Sequence, residues 1–293
     1  MPAIRIGPSL LHYELLGRDG PLIAVTPGGR AGMKSVRALG EALAERCRVL
    51  LWDRRNCGAS DFYFGPEPSE QALWGDDLAA LIGALGLGPA IVAGGSGGAR
   101  VSLLAAIRHP EKVRALALWA CSGGRFGCQY LGYNYHVPFM FAAMAGGMDA
   151  VAKTAFFAER LAAHPHLREP LLAIDPQDFV ATMMRWTESF YYDPATPVIG
   201  ASVEELRNLR RPVLLIEGND LIHPKETSDA MQKLLPQVEA AQPPWSGAEY
   251  LSYVTGERKG GVIEMQFPRV APRVLEFVAK LEASVPEPRP GRS

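Results

Sequence analysis

Apolar positions along the chain alternate between short unbroken runs and longer stretches in which they recur every third or fourth residue. Leu22-Ile23-Ala24-Val25, Val49-Leu50-Leu51-Trp52, Ala90-Ile91-Val92-Ala93 and Val213-Leu214-Leu215-Ile216 are unbroken, and Val113 to Ala120 is interrupted only by Arg114. That pattern suits strands buried on both faces of a parallel sheet. Between them, Lys34 to Arg46, Ser69 to Leu87, the stretch after Ser96, Lys225 to Leu235 and Pro268 to Leu281 carry helical spacing. Strand and helix therefore alternate. The expectation is an α/β fold with a mostly parallel central sheet and helices on both faces. Residues 1–20 read as an N-terminal hairpin or edge strand, and Val238 to Ala241 as a weak strand near the end.

From residue 121 to 207 the alternation stops. Two aromatic clusters, Phe126 to Phe141 and Phe179 to Tyr192, sit among short helical patterns and prolines. We read this stretch as a helical cap inserted over the strand ends, where α/β sheets hold their ligands. It divides the core into 1–120 and 208–283, and the proline- and arginine-rich residues 284–293 read as a disordered tail. Tyr130, His136 and Trp186 are candidate substrate-binding residues in the cap, with a place in the cap's own core as the competing role.

Two glycine-rich loops carry the candidate chemistry. In Gly94-Gly95-Ser96-Gly97-Gly98 an apolar strand meets a helical stretch, with the serine hydroxyl at the turn. This is the layout of a nucleophile elbow, whose glycines let a strained serine backbone fit between strand and helix. A flexible turn or a phosphate cradle competes with that reading, and the strand-turn-helix context favours the elbow. The second loop, Thr26-Pro27-Gly28-Gly29-Arg30, follows an apolar strand and can turn backbone N–H groups toward an oxyanion. Arg30 and Arg100 beside the two loops are candidates to meet a substrate carboxylate.

Composition narrows the partners. The 293 residues carry 30 Lys and Arg against 31 Asp and Glu, with a formal net charge of −1 and no block of five like charges. Nucleic acid is not expected as a partner. The longer uncharged runs are interrupted by glycine, proline and polar residues and the N-terminus lacks a signal-peptide core, so a cytoplasmic protein away from membranes is expected. Four cysteines without a C-x-x-C pair, and the lack of H-E-x-x-H or Walker motifs, point to neither metal nor organic cofactor. The expected partner is a small-molecule substrate, and a homodimer is compatible with the sequence.

Together these features resemble the α/β-hydrolase fold. Asp53-Arg54-Arg55-Asn56-Cys57-Gly58-Ala59-Ser60 is similar to the family's D-x-R-G-x-G-x-S loop, with asparagine for the first glycine. Gly218-Asn219-Asp220 with Pro224 is similar to the turn bearing the triad acid. The resemblance implies Ser96 as nucleophile, the N–H groups of Gly97 and of Gly29 or Gly28 as oxyanion donors, and Asp220 as the acid. It also implies a histidine before the last helix, yet the usual spacing lands on Gly260-Gly261 and no histidine follows His223. A serine without a base is a weak nucleophile. His223, three residues past Asp220, and His136 in the cap are the candidate substitutes. The leading expectation is hydrolysis of a small, largely apolar ester or lactone. Non-hydrolytic chemistry on the same pocket (a lyase, isomerase or cyclase) and small-molecule binding without turnover are the alternatives.

Overall fold

The computed structural model describes residues 1–256 and 263–284. Among them, β1 (Ala3–Ile6), β2 (Ser9–Leu16), β3 (Leu22–Thr26), β4 (Arg48–Trp52), β5 (Ala90–Gly95), β6 (Val113–Trp119), β7 (Val213–Ile216) and β8 (Val238–Ala241) form one sheet, ordered β1-β2-β4-β3-β5-β6-β7-β8. The first two pairings, β1 with β2 and β2 with β4, are antiparallel and the rest are parallel. Every residue of β3, β5 and β7 is buried, as unbroken apolar runs require when helices cover both faces.

The helices are α1 (Arg37–Leu43), α2 (Glu70–Ala84), α3 (Gly97–Arg108), α4 (Gly124–Ala152), α5 (Ala155–Ala163), α6 (Arg168–Leu172), α7 (Pro176–Glu188), α8 (Val203–Asn208), α9 (Lys225–Leu234), α10 (Gly247–Val254) and α11 (Ala271–Ala283). One sheet face packs against Trp74 and Leu78 of α2, Val101 of α3, Leu206 of α8 and Met231 of α9. The other packs against Leu39 of α1, Tyr250 of α10 and Val274 of α11. Alternate residues of β5 serve the two layers, Val92 the first and Ile91 the second.

Three expectations change. The short helical patterns after residue 121 open with one helix, α4, of 29 residues, which continues past Pro138 and breaks only at Gly146-Gly147, where Gly147 takes φ +63°. The boundary expected at 207/208 falls inside α8, and Val198, Ala201 and Leu206 pack in the sheet core rather than with the insertion. The eight-residue α10, capped by Ser246 on the Glu249 N–H, was not foreseen. Of the expected tail, residues 285–293 lie outside the described residues.

Candidate active site

Ser96 closes β5 with φ +52° and ψ −114°, a left-handed backbone that costs a non-glycine residue about 1–3 kcal/mol. The neighbourhood over-determines it. The Ser96 N–H donates to the Trp119 carbonyl at 3.1 Å, and the Ser96 carbonyl accepts the first α3 bond from Arg100 at 3.2 Å. A Cβ on Gly94 would stand 2.5 Å from the Gly98 carbonyl carbon, and one on Gly98 would run into the Thr26 carbonyl. The glycines flanking the serine are therefore steric requirements of strand-to-helix contact.

The turn after β7 brings two further groups to this serine. Asp220 Oδ1 accepts the N–H groups of Ile222 at 2.7 Å and His223 at 3.0 Å, which curls the chain back on itself. Gly218 must be glycine, since a side chain there would enter the His223 carbonyl. The curl sets Asp220 Oδ2 2.8 Å from His223 Nδ1, and His223 Nε2 2.9 Å from Ser96 Oγ. With Nδ1–H donated to the carboxylate, Nε2 is the acceptor for the serine proton. Burial pushes the Asp220 carboxyl up, but the His223 hydrogen bond and charge and the two N–H groups outweigh it and hold the group below the ordinary range.

Gly97, next to Ser96, and Gly29 approach each other closely: a Cβ on Gly97 would lie 3.0 Å from the Gly29 nitrogen. Gly29 itself takes φ +45°. Its loop is fastened by Arg54, a residue that sequence reasoning passed over. Arg54 Nη1 donates to the Gly29 carbonyl at 3.0 Å, and Nη2 to Gly28 at 3.1 Å and Ala31 at 3.0 Å, with the guanidinium over the Trp74 ring. Asp53 accepts the N–H of Met33 at 2.6 Å and of Ala59 at 2.8 Å. Asn56 stands in for the family glycine because its φ of +63° is one that asparagine tolerates. Arg54→Met frees this loop, and the expected result is a fall in kcat of about tenfold with KM little changed, short of the loss on removing an oxyanion donor outright. Steady-state kinetics on a p-nitrophenyl ester check it.

Tyr250 on α10 was also missed. Its side chain is buried and its ring meets the His223 imidazole edge-on, centroids 4.7 Å apart. Glu264 is buried beside it, burial pushing its carboxyl up, and its Oε1 stands 2.8 Å from where a Cβ on Gly28 would lie. Gly260-Gly261, where the family spacing sought a histidine, lies outside the described residues.

The expected ligand-binding residues are placed differently from one another. Arg30 is engaged by Glu70, two hydrogen bonds of 2.8 and 2.6 Å taking both Nη groups, so its charge is already met inside the protein. Arg100 donates to Ser122 Oγ at 2.8 Å. Trp186 is wholly buried in the insertion's own core, its indole N–H on the Glu67 carbonyl at 2.8 Å, and does not stand free for a ligand. His136 is also wholly buried, its Nδ1 facing the Gly132 carbonyl at 3.3 Å and its ring against Phe190, and burial pushes it down to about 3. It is a neutral packing residue, which removes it as a stand-in base. Tyr130 is half-buried and joins the apolar cluster of Leu131, Tyr135, Phe190 and Ile222 next to the histidine turn.

A family model described as alpha/beta hydrolase fold matches residues 21–244. The putative carbamate hydrolase RutD of Azorhizobium caulinodans is 28% identical over 269 residues, spanning 87% of this chain and 94% of the relative. Among solved structures, the enol-lactonase of Burkholderia xenovorans LB400 superposes with a TM-score of 0.60 at 20% identity, over 95% of this chain and 100% of that one. A thermophilic esterase from Thermogutta terrifontis gives 0.64 at 21% identity, over 96% and 99%.

Proposed function

The chain belongs to the alpha/beta hydrolase fold family, and from that premise we propose that it hydrolyses a small, largely apolar ester or lactone through an acyl-serine intermediate. The observation that carries the reading is the unbroken line from Asp220 Oδ2 through His223 to Ser96 Oγ, with contacts of 2.8 and 2.9 Å. Ser96 Oγ attacks the carbonyl carbon while His223 Nε2 takes its proton, and Asp220 stabilises the imidazolium formed. The carbonyl oxygen, now negative, is met by the N–H groups of Gly97 and Gly29. Collapse expels the alcohol oxygen, which takes the proton back from His223. In a lactone that alcohol stays tethered to the acyl chain. Water then gives a proton to His223, attacks the acyl carbon, and releases the acid and Ser96.

The cluster of Leu131, Tyr135, Phe190 and Ile222 favours an apolar acyl group. The relative described as a putative carbamate hydrolase adds carbamate esters to the substrates worth assaying. A fluorophosphonate tests the chemistry directly: the expected result is its covalent attachment to the Ser96 peptide by mass spectrometry, alongside turnover of p-nitrophenyl butyrate. An unmodified serine and no turnover across short esters, lactones and carbamates would instead favour binding or non-hydrolytic chemistry.

A further inference from the structure

A cavity of about 520 Å³ lies between α5 of the insertion and the loops after β3 and β4, and its walls include Arg30, Lys34, Asp53, Phe156, Arg160 and Ala163. Among the described residues lining it, none belongs to the line from Asp220 through His223 to Ser96. Its cations are unequally matched. Arg30 is engaged by Glu70. Arg160 is only 6% exposed, and it donates Nε to the Gly58 carbonyl at 2.7 Å and Nη2 to the carbonyls of Ser60 and Cys57. Its guanidinium carbon stands 4.0 Å from the centre of the Phe62 ring. Nη1 is buried without a hydrogen-bond partner, and among the described residues neither Arg160 nor the exposed Lys34 is ion-paired. A buried cation held by carbonyls and a ring alone is costly, and burial pushes the Arg160 guanidinium down to about 10.

We propose that this cavity is a second binding site, which takes a monocarboxylate with a short apolar body, its carboxylate between Arg160 and Lys34 and its body against Phe156 and Ala163. The inference goes beyond the hydrolase reading and does not depend on it. An anion here offsets the cost of the unpaired guanidinium, and a planar carboxylate matches the guanidinium fork. The rest of the wall narrows the class. Phe156 and Ala163 offer apolar surface, which suits a hydrocarbon body. Asp53 and the exposed Glu159 stand on the same wall and disfavour a second negative charge on the ligand. Asp53 does not neutralise Arg160 by pairing, since its oxygens accept the N–H groups of Met33 and Ala59. Burial and the Arg160 charge push the His164 imidazole down, so it adds no further cation near neutral pH.

Fluorine NMR on the full chain with para-trifluoromethylbenzoate tests this. The wild-type protein is expected to broaden the probe's resonance, and unlabelled benzoate to restore it. The neutral para-trifluoromethylbenzamide should bind on the order of tenfold more weakly, for want of a charge-assisted contact. Ala163→Trp fills the cavity from an exposed position at the end of α5 and should abolish the broadening. Lys34→Glu replaces an attraction with a repulsion and should weaken binding by about tenfold at low salt. Melting temperatures near wild type show that both variants fold. Equal broadening by acid and amide, no broadening by either, or broadening unchanged in both variants would overturn the inference. Displacement of the probe by inorganic phosphate as readily as by benzoate would overturn the carboxylate class. Ester turnover plays no part in the readout, so failure of this site and failure of the hydrolase reading are separate results.

Discussion

Exchanging His223 for glutamine is expected to remove nearly all activity: kcat on p-nitrophenyl butyrate should fall by on the order of a millionfold, about 8 kcal/mol of barrier, and fluorophosphonate labelling of Ser96 should cease at practical times. Glutamine fills much of the ring's volume but has no nitrogen able to take a proton. The size of the loss follows from His223 doing two jobs, since the imidazole that takes the serine proton also returns it to the leaving group. No second imidazole can substitute. His136 is locked in packing around Phe190 and held neutral far below ordinary histidine pH. Melting temperature and circular dichroism should stay near wild type, because the backbone N–H of residue 223 still reaches Asp220 Oδ1. A variant retaining more than a hundredth of wild-type kcat would show that the proton goes elsewhere.

Features legible in the sequence were those set by local backbone needs. The glycines around Ser96 and in the Gly28-Gly29 loop, the unbroken strands, and the turn that opens at Gly218 each leave a short signature because neighbouring residues enforce it. His223 was legible only as one candidate of two, since its contact with Ser96 spans 127 residues and depends on how β7 lies against β6 beside β5. Family spacing pointed instead to Gly260-Gly261. Arg54 left no signal, because a residue at an unrestricted loop position becomes important only when three carbonyls of another loop fold over it. Tyr250 sits on a helix of eight residues, too short for a periodic pattern to stand out. For Trp186 and His136 the sequence leaves pocket and core both open, because an aromatic cluster looks the same in sequence whether it lines a cavity or fills a core.

The second large effect lies at Asp220, and it separates chemistry from scaffolding. Asp220→Asn should lower kcat by about ten-thousandfold while leaving the turn folded. The amide oxygen can still accept the Ile222 and His223 N–H groups that Oδ1 now holds at 2.7 and 3.0 Å. The amide nitrogen, however, replaces Oδ2 opposite His223 Nδ1, where it offers a proton instead of accepting one. The imidazole then carries its hydrogen on Nε2 and points it at Ser96, so the serine proton has nowhere to go. Asp220→Ala should lose the same activity and stability as well, by about 1–3 kcal/mol, because two backbone donors are left without their acceptor. The pH dependence follows with a definite sign. The wild-type carboxyl is held below the ordinary carboxylate value, so it stays ionised through mildly acid solution, and its support for both activity and stability is lost only as pH falls through that depressed value. Denaturant melts and kcat across pH check both halves. An asparagine variant within tenfold of wild type would reduce Asp220 to a brace for the turn and leave His223 to orient itself through Tyr250.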